Sequence, residues 1–189
     1  MTQRLAYSDI FSSAPHTHII GRDGEIHDCV ESTMDVCRRR ADDGVPDGYT
    51  VLAEQQTCGR GRQAGWQCET GKGLLMSVFL GRAVPRGRRM VLSALGAVAA
   101  AEAAQAFGVD ALIKWPNDVV AGRGAEPGLQ KLGGVLVEPV LRGEAAPLHI
   151  LGIGLNVNQD AGELPLETKL PAQSLRLERG GSPVNRNVL

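Results

Sequence analysis

Apolar residues recur along this chain in short runs separated by turn residues, a pattern that predicts several strands. The run LLMSVFL at residues 74–80 is typical of a strand that is buried on both faces. Other runs rich in Val, Ile and Leu predict four more strands at residues 49–54, 111–114, 131–140 and 148–157. Most of the predicted sheet therefore comes from the second half of the chain.

Two segments have helical character instead. Residues 34–42 follow Ser32 and Thr33, and either hydroxyl can cap the first turn of a helix. Residues 90–108 are rich in alanine and end at Gly108, as helices commonly do. Because this second segment also carries a glutamate and a glutamine, it is too weakly apolar to span a membrane, and we expect a buried core helix. Strands packed with a few helices predict an α+β fold with a mixed or antiparallel sheet.

Length and composition narrow the class of protein. With 189 residues, 43% of them hydrophobic and 22% charged, the chain has the size and balance of one soluble domain, which we place at residues 1–189. A net charge of -1 argues against a general nucleic-acid-binding protein. The cysteines lack CxxC spacing and a histidine cluster, so we expect reduced thiols rather than zinc, and a cytoplasmic location. Residues 1–18 contain no apolar run that resembles a signal peptide.

The most distinctive polar feature is the sequence GRGR at residues 59–62, here called the arginine loop. Its glycines allow the backbone to approach a ligand closely, and Arg60 and Arg62 offer forked donors that suit a phosphate or a carboxylate. The residues alone leave open a solvated turn or an RNA-binding tract. They form neither a P-loop nor a dinucleotide-binding fingerprint, because the glycine spacing, the hydroxyl residue or the following helix is missing.

Three further motifs place polar residues at the ends of predicted strands or inside them. In KWPND, Asp118 offers a hard oxygen ligand of the kind that suits Mg²⁺. In KLGG, Lys131 can hold an ammonium against a ligand that lies on the glycine backbone. In GIGLNVN, the glycines indicate close approach of a ligand, and the Asn156 amide suits a ring edge such as adenine or a urea. A plain turn, a surface lysine and a strand-end turn would each explain one motif by itself.

The order of these motifs is far more specific than any one of them. Ser32-Thr33, Gln56 with GRGR, KWPND, KLGG and GIGLNVN resemble the motifs of the biotin–protein ligases over about residues 30–158. The resemblance implies the catalytic domain of that family, whose fold is like that of class II aminoacyl-tRNA synthetases and is shared with lipoate ligases. The activity that it implies is conversion of biotin and MgATP to biotinoyl-5′-AMP. Transfer of biotin to a lysine of a biotin carboxyl carrier protein, such as that of acetyl-CoA carboxylase, would follow.

The resemblance also assigns roles to individual residues. It puts the ureido ring of biotin against Ser32, Thr33 and Gln56, and the biotin carboxylate and α-phosphate against Lys131. Asp118 corresponds to a residue beside the metal and the incoming lysine. The implied sets are, for catalysis, Lys131, Arg60, Arg62 and Asp118; for biotin, Ser32, Thr33, Gln56, Gly59, Arg60, Gly61, Arg62, Lys131, Gly134, Gly152 and Gly154; for ATP and adenine, Trp66, Asn117 and Asn156; and for the metal, Asp118.

This chain departs from the family pattern in three places. Met34 stands where an asparagine is frequent, and the segment GRGRQAGW is one residue shorter than usual and lacks a third arginine. We therefore expect one phosphate contact to be lost and the register of Trp66 to differ. The sequence ends at Leu189, where the family continues into a small β-barrel, and no helix-turn-helix precedes Glu31. We expect neither the β-barrel nor a DNA-binding domain.

Two alternative functions stay open. A lipoate- or octanoyl-protein ligase would use the same fold and acyl chemistry, and a catalytically weak remnant would bind biotin without ligating it. The expected partners are biotin, ATP and a carrier protein, with neither nucleic acid nor membrane. The edge of the predicted strand at residues 131–140 could pair with that carrier or with a second copy of the chain as a homodimer.

Overall fold

In the part of the chain that the structure describes, seven strands form one mixed sheet with the spatial order β1-β2-β3-β7-β6-β5-β4. Neighbouring strands are antiparallel except for the parallel pair β1 and β2. The strands are β1 (Gly24–His27), β2 (Thr50–Ala53), β3 (Gly73–Leu80), β4 (Ala111–Lys114), β5 (Asp118–Ala121), β6 (Gln130–Val140) and β7 (Leu148–Asn156). The predicted α+β fold with a mixed sheet is confirmed.

The computed structural model describes residues 4–12, 17–62, 65–66, 68–82, 84–85, 88–122, 128–141, 147–166 and 169–189. Helices in these ranges are α1 (Thr33–Asp42), α2 (Arg89–Ala106) and the single turn α3 (Leu175–Glu178), with a π-helical turn at Ser8–Ser12 and 3₁₀ turns at Ala161–Glu163 and Arg186–Val188. Ser32 caps α1, since its hydroxyl accepts a hydrogen bond from the Met34 backbone at 3.3 Å. Of the two hydroxyls proposed as caps, Ser32 is therefore the one used.

The two long helices pack on opposite faces of the sheet, because successive residues of a strand point to opposite sides. Along β7, Leu151 belongs to the hydrophobic cluster that contains α2, whereas Ile150 belongs to the cluster that contains α1. Helix α2 approaches the sheet closely at Gly96, where an added methyl group would lie 2.9 Å from Leu151. The α1 face is covered by this helix over only part of its width, mainly at β2, β3 and β7.

Helix α2 departs from the prediction of a fully buried helix. Its small residues, from Gly96 to Ala104, face the sheet, while Val91 and Leu95 on the other side are 52% and 60% exposed. Because one face carries alanine and the other carries larger apolar residues, the sequence has no amphipathic pattern. It therefore could not distinguish a helix packed on one side from a fully buried helix. No helix in the described part of the chain is long and apolar enough to cross a membrane.

Strands β1 and β5 were not predicted. The sequence of β1, GEIH, contains one strongly apolar residue, and β5 begins at Asp118, the last residue of the KWPND motif, which a plain turn would explain. Both strands form because a neighbouring strand pairs with them: β1 with β2, and β5 with β4 and β6. Tertiary pairing outweighs weak intrinsic propensity at these positions.

The first and last segments of the described chain both contact residues beside β2 and β3. The Arg186 guanidinium donates to the Glu54 carboxylate at 2.8 Å and to the Gly73 carbonyl at 3.1 Å. The other Glu54 carboxylate oxygen accepts a hydrogen bond from the Leu5 backbone at 2.6 Å. Arg186 and Glu54 are 1% and 3% exposed, so this ion pair is buried.

Candidate functional site

Three glycines on neighbouring strands leave a side-chain-free strip on the α1 face of the sheet. Gly134 of β6 pairs with Gly154 of β7, and Gly152 lies two residues from Gly154 on the same face. We call these three residues the glycine floor. A methyl group on Gly152 would meet the Met34 sulfur at 2.9 Å, so the helix already covers that end. The part of the floor that α1 leaves uncovered therefore lies at Gly134 and Gly154.

The indole of Trp66 lies directly over Gly154. A methyl group on this glycine would lie 2.5 Å from Trp66 Nε1, and the Trp66 backbone donates to the Gly59 carbonyl at 2.8 Å. Within the described residues, Trp66 Nε1 is buried and has no hydrogen-bond partner. Lys131 Nζ lies 5.9 Å from the ring centroid, within cation–π range. Despite the shorter loop, Trp66 thus reaches the predicted ligand-binding face.

Replacing Gly154 by alanine is expected to move the Trp66 indole off the floor. The new Cβ is fixed to the backbone and would overlap with the indole, so the ring has to shift. The emission of Trp66 would shift to longer wavelength as the ring becomes exposed. The measurement is intrinsic fluorescence in a Trp115→Phe background, since Trp115 is 67% exposed and would otherwise dominate the signal. Gly162→Ala is the control, because no atom lies within 4 Å of an added methyl group there. Identical spectra for Gly154→Ala and its parent would contradict the placement of Trp66.

A buried polar cluster lies at the α1 end of the site. The Gln56 side-chain oxygen accepts from the Thr33 backbone at 2.8 Å and from the Thr33 hydroxyl at 3.0 Å. The Thr33 hydroxyl also lies 2.8 Å from the Ser77 hydroxyl. All three residues are at most 7% exposed. Ser77 was missed, although it is the one polar residue in the apolar run of β3, and a lone buried hydroxyl needs a partner.

An ion pair between Lys131 and Asp118 lies at the rim of the glycine floor. Lys131 Nζ lies 2.7 Å from Asp118 Oδ1, and each side chain is about 70% buried, with 30% and 26% exposed. A methyl group on Gly134 would lie 3.6 Å from Lys131 Nζ and 3.5 Å from Asp118 Oδ1, so the pair stands at the floor's rim. The structure therefore brings together two predicted catalytic residues from KWPND and KLGG.

Asn117 and Arg62 connect the KWPND corner to the arginine loop. Arg62 donates to the Asn117 side-chain oxygen at 2.7 Å, and the Asn117 amide donates to the Val135 carbonyl at 2.9 Å. The Trp115–Pro116 peptide in this corner is cis. Asn117 thus joins the arginine loop to β6 through hydrogen bonds. Its role in binding ATP stays a prediction.

Asn156 is 5% exposed and has protein partners on both ends of its amide. Its nitrogen donates to the Gln173 carbonyl at 3.0 Å, and its oxygen accepts from Gln159 at 3.2 Å. One N–H and one lone pair of a primary amide remain after two such bonds. The chemistry allows adenine recognition, which stays a prediction.

Arg60 and Arg62 differ in their surroundings, although the sequence analysis gave them the same role. Arg60 donates both to Asp35, at 2.7 Å, and to Glu138, at 3.1 Å. Burial opposes its charge, but the hydrogen bonds to Asp35 and the charge of Glu138 raise the pKa of Arg60 overall. Gly59 is buried against Gln56 and Trp66, whereas Gly61 is exposed.

A cleft of about 850 Å³ borders the arginine loop. Its lining includes the loop, the start of α2 and the part of β6 beyond its pairing with β5: Cys58, Gly59, Arg60, Gly61, Arg62, Gly65, Pro85, Arg89, Met90, Ser93, Pro116, Val135, Leu136, Val137, Glu138, Pro139, Pro147 and His149. The part of β6 that was predicted to pair with a partner lines this cleft. Pairing there, with a carrier or a second copy, stays a prediction.

His149 in this cleft is 3% exposed, and burial together with the charge of Arg89 lowers its pKa. Below the ordinary pKa of about 6.5, the unfolded chain then binds more protons at this residue than the folded chain, so acid destabilises the fold. We expect His149→Leu to narrow the difference between the free energies of unfolding at pH 7.5 and pH 5.5, measured with urea. An exposed histidine, in His18→Gln, should leave that difference unchanged. An equal difference in His149→Leu and wild type would contradict the prediction.

The cysteines form no disulfide in the structure, and they differ in exposure. Cys29 and Cys58 are exposed, whereas burial raises the pKa of the Cys37 thiol to about 12 and that of Cys68 to about 11. Buried thiols of this kind are unreactive at neutral pH. Across the described ranges, no group of three or more histidine, cysteine, aspartate and glutamate residues could hold a metal ion.

Comparison with known proteins matches this geometry to one family. The model of the Biotin/lipoate A/B protein ligase family covers residues 26–158. The bifunctional ligase/repressor BirA of Bacillus subtilis is 33% identical over 172 residues, which are 90% of this chain and 51% of that protein. A biotin–[acetyl-CoA-carboxylase] ligase of Mycobacterium tuberculosis is 33% identical over 82% of this chain and 55% of its own. The chain thus spans about half the length of these curated relatives.

Solved structures support the same assignment. The biotin protein ligase of Aquifex aeolicus in complex with biotin and ATP superposes with a TM-score of 0.65 at 28% identity, over 88% of this chain and 67% of that one. Its R40G mutant in complex with biotin gives a TM-score of 0.64 at 30% identity, over 88% and 64%. The family predicted from the motifs is confirmed. With its mixed sheet, its motif order and these relatives, the chain belongs to the biotin/lipoate A/B protein ligase family.

Proposed function

We propose that the chain is the catalytic domain of a biotin–protein ligase, which forms biotinoyl-5′-AMP from biotin and ATP and then biotinylates a lysine of a carrier protein. The observation that carries the proposal is the position of the Lys131–Asp118 pair at the rim of the glycine floor, with the Thr33–Gln56 cluster at the other end. The Aquifex aeolicus relative was solved with biotin and ATP, which supports the same two substrates here. The carrier protein and the cytoplasmic location belong to this proposal as well.

The polar cluster suits the ureido ring of biotin. A cyclic urea presents two N–H donors and one strong carbonyl acceptor, and a buried site must satisfy all three. Thr33, Gln56 and Ser77 supply hydroxyl and amide groups that are already arranged and buried. We place the ring there and the acyl chain between this cluster and Lys131. Ser32, which caps α1, would contribute its hydroxyl hydrogen.

In the first step, a carboxylate oxygen of biotin attacks the α-phosphorus of ATP. A P–O bond forms, the bond to the β-phosphate breaks, and pyrophosphate leaves. Two anions must approach each other, so the barrier is largely electrostatic and fixed cations lower it. Lys131 is held by Asp118, and Arg62 by the neutral Asn117 amide, so both cations are oriented before substrate arrives.

In the second step, the amine of the carrier lysine attacks the acyl carbon. A C–N bond forms, the bond to AMP breaks, and the amine must lose a proton. Asp118 is a carboxylate at the rim of the floor, and we place it as the acceptor of that proton. Trp66 covers Gly154, which would keep water from the reactive adenylate. We place adenine beside Trp66 and Asn156.

The residues fit Mg²⁺ only as a companion of ATP. Mg²⁺ often binds through one or two carboxylates together with substrate phosphates, and it does not need a protein cage. Asp118 is one such carboxylate, and the described part of the chain holds no larger group of metal ligands. When bound, the ion would neutralise phosphate charge and so favour the leaving pyrophosphate.

The deciding experiment measures pyrophosphate release by the chain with ATP and either biotin or lipoate. Release that needs both ATP and biotin, followed by a gain of one biotinoyl group on an added carrier protein in mass spectrometry, is the expected result. Lipoate is the informative alternative because the matched family model includes lipoate ligases. Adenylate formation with lipoate alone would overturn the biotin assignment. Calorimetric binding of biotin without pyrophosphate release would indicate the catalytically weak remnant.

A further inference from the structure

Arg60 is held by two carboxylates from different elements. It lies 2.7 Å from both carboxylate oxygens of Asp35 on α1, and it donates to both oxygens of Glu138 on β6, at 3.1 and 3.2 Å. Arg60, Asp35 and Glu138 have side chains that are 33%, 34% and 25% exposed. A guanidinium that engages two carboxylates in this way is firmly oriented.

A second arginine completes the cluster. Arg38 of α1 donates to Glu138 at 2.8 Å and to the Pro139 carbonyl at 3.0 Å. The two arginines and two carboxylates carry no net charge together, so little of the positive charge of Arg60 is left for a phosphate. Arg62 is exposed, and it donates to the Asn117 amide oxygen, which is neutral. The two arginines of the loop therefore face different chemistry.

The cluster attaches the loop on the same face of the sheet as the floor, because Glu138 lies four residues along β6 from Gly134. Arg60 ties the loop to α1 and β6, while the neighbouring Gly59 carbonyl accepts from the Trp66 backbone. Arg62, which donates to Asn117, and Trp66, which lies over Gly154, both follow this attachment closely along the chain.

We propose that Arg60, Asp35 and Glu138 form a latch that orders the arginine loop over the glycine floor, and that Arg62 rather than Arg60 meets the substrate anions. Asp35 and Glu138 are then positioning residues, which act through the loop. The identity of the anions, biotin carboxylate and ATP phosphates, rests on the proposed function. The latch itself does not depend on that identity.

The test compares Asp35→Asn and Glu138→Gln with wild type in two measurements. Hydrogen–deuterium exchange of the backbone amides at residues 58–62 should accelerate about tenfold in both variants, because a lost charge-assisted bond shifts the loop toward its open form by about that factor. The KM for biotin should rise about tenfold while kcat stays within about twofold, since binding must then order the loop. A purely structural defect would lower activity through loss of folded protein, without this split.

Glu25→Gln is the matched control. It breaks a similar half-buried pair, in which Arg40 binds Glu25 at 2.9 Å, and that pair contacts no residue of the arginine loop. Wild-type exchange at residues 58–62 in both latch variants, or a biotin KM unchanged in both, would overturn the proposal. So would an Arg60→Ala enzyme that loses kcat while the carboxylate variants stay normal. If wild type lacks ligase activity, the proposed function fails, and the exchange experiment still decides whether the latch exists.

Discussion

Alanine in place of Lys131 is expected to slow biotin-dependent pyrophosphate release about 10²–10³-fold, the range found when one preorganised donor is removed from a charged transition state. The ammonium of Lys131 is oriented by Asp118 at 2.7 Å and stands at the rim of the floor. Its charge is most useful when the two anions come together, so kcat should fall more than biotin affinity. The measurement is pyrophosphate release at saturating ATP and biotin, with biotin binding followed by calorimetry.

The matched control is Lys169→Ala, which removes an exposed lysine elsewhere in the described chain and should leave the rate at the wild-type level. Lys131→Arg should recover only part of the activity, because a planar guanidinium is larger than the ammonium that it replaces and spreads its charge instead of presenting one compact charge to the two anions. A Lys131→Ala enzyme with more than one third of the wild-type kcat would refute the assigned role. Loss of biotin binding in that variant would instead place the lysine in ground-state recognition.

Those residues of the candidate site that lie on the glycine floor or at its rim were predictable from the sequence. Lys131, Asp118 and Gly154 come from motifs on adjacent strands, and strand pairing brings such motifs together without any unusual packing. Glycines inside apolar runs indicated where side chains are absent. Ser77 was detectable as well, as an isolated polar residue in a buried run.

The electrostatic partners were not predictable in the same way. Arg60 binds Asp35 and Glu138, which lie 25 and 78 positions away. No local pattern connects residues at such separations, and charged residues on a helix or strand are usually solvated. The family resemblance assigned Arg60 and Arg62 one common role, whereas their distances to carboxylates separate them. Tertiary geometry alone carries that distinction.

The fold shows a similar division. Long apolar runs identified β3, β6 and β7, whose pairing dominates the sheet, while β1 and β5 owe their conformation to neighbours. The alanine-rich composition of α2 predicted a helix but not its exposed face, because small residues pack closely against a sheet without leaving a periodic signal.

Breaking the buried ion pair between Arg186 and Glu54 is expected to cause the largest loss of stability in this chain. Arg186→Met keeps most of the apolar stem of the side chain but removes its charge. The Glu54 carboxylate then stays buried, and of the two donors described above only the Leu5 backbone N–H is left to it. An uncompensated buried charge costs about 3–5 kcal/mol. Urea denaturation, followed by circular dichroism, should therefore show a much lower midpoint with little change in the slope m.

The double variant Glu54→Gln with Arg186→Met tests the cause. It removes both charges, so it should be more stable than Arg186→Met alone, because the penalty comes from the charge left behind rather than from lost attraction. Arg82→Ala is the control: this side chain is 80% exposed in its pair with Asp47, and its loss should change the free energy of unfolding by less than about 0.5 kcal/mol. If Arg186→Met lies within about 1 kcal/mol of wild type, or if the double variant is the less stable of the two, the burial of an uncompensated charge is not what holds the chain ends in place.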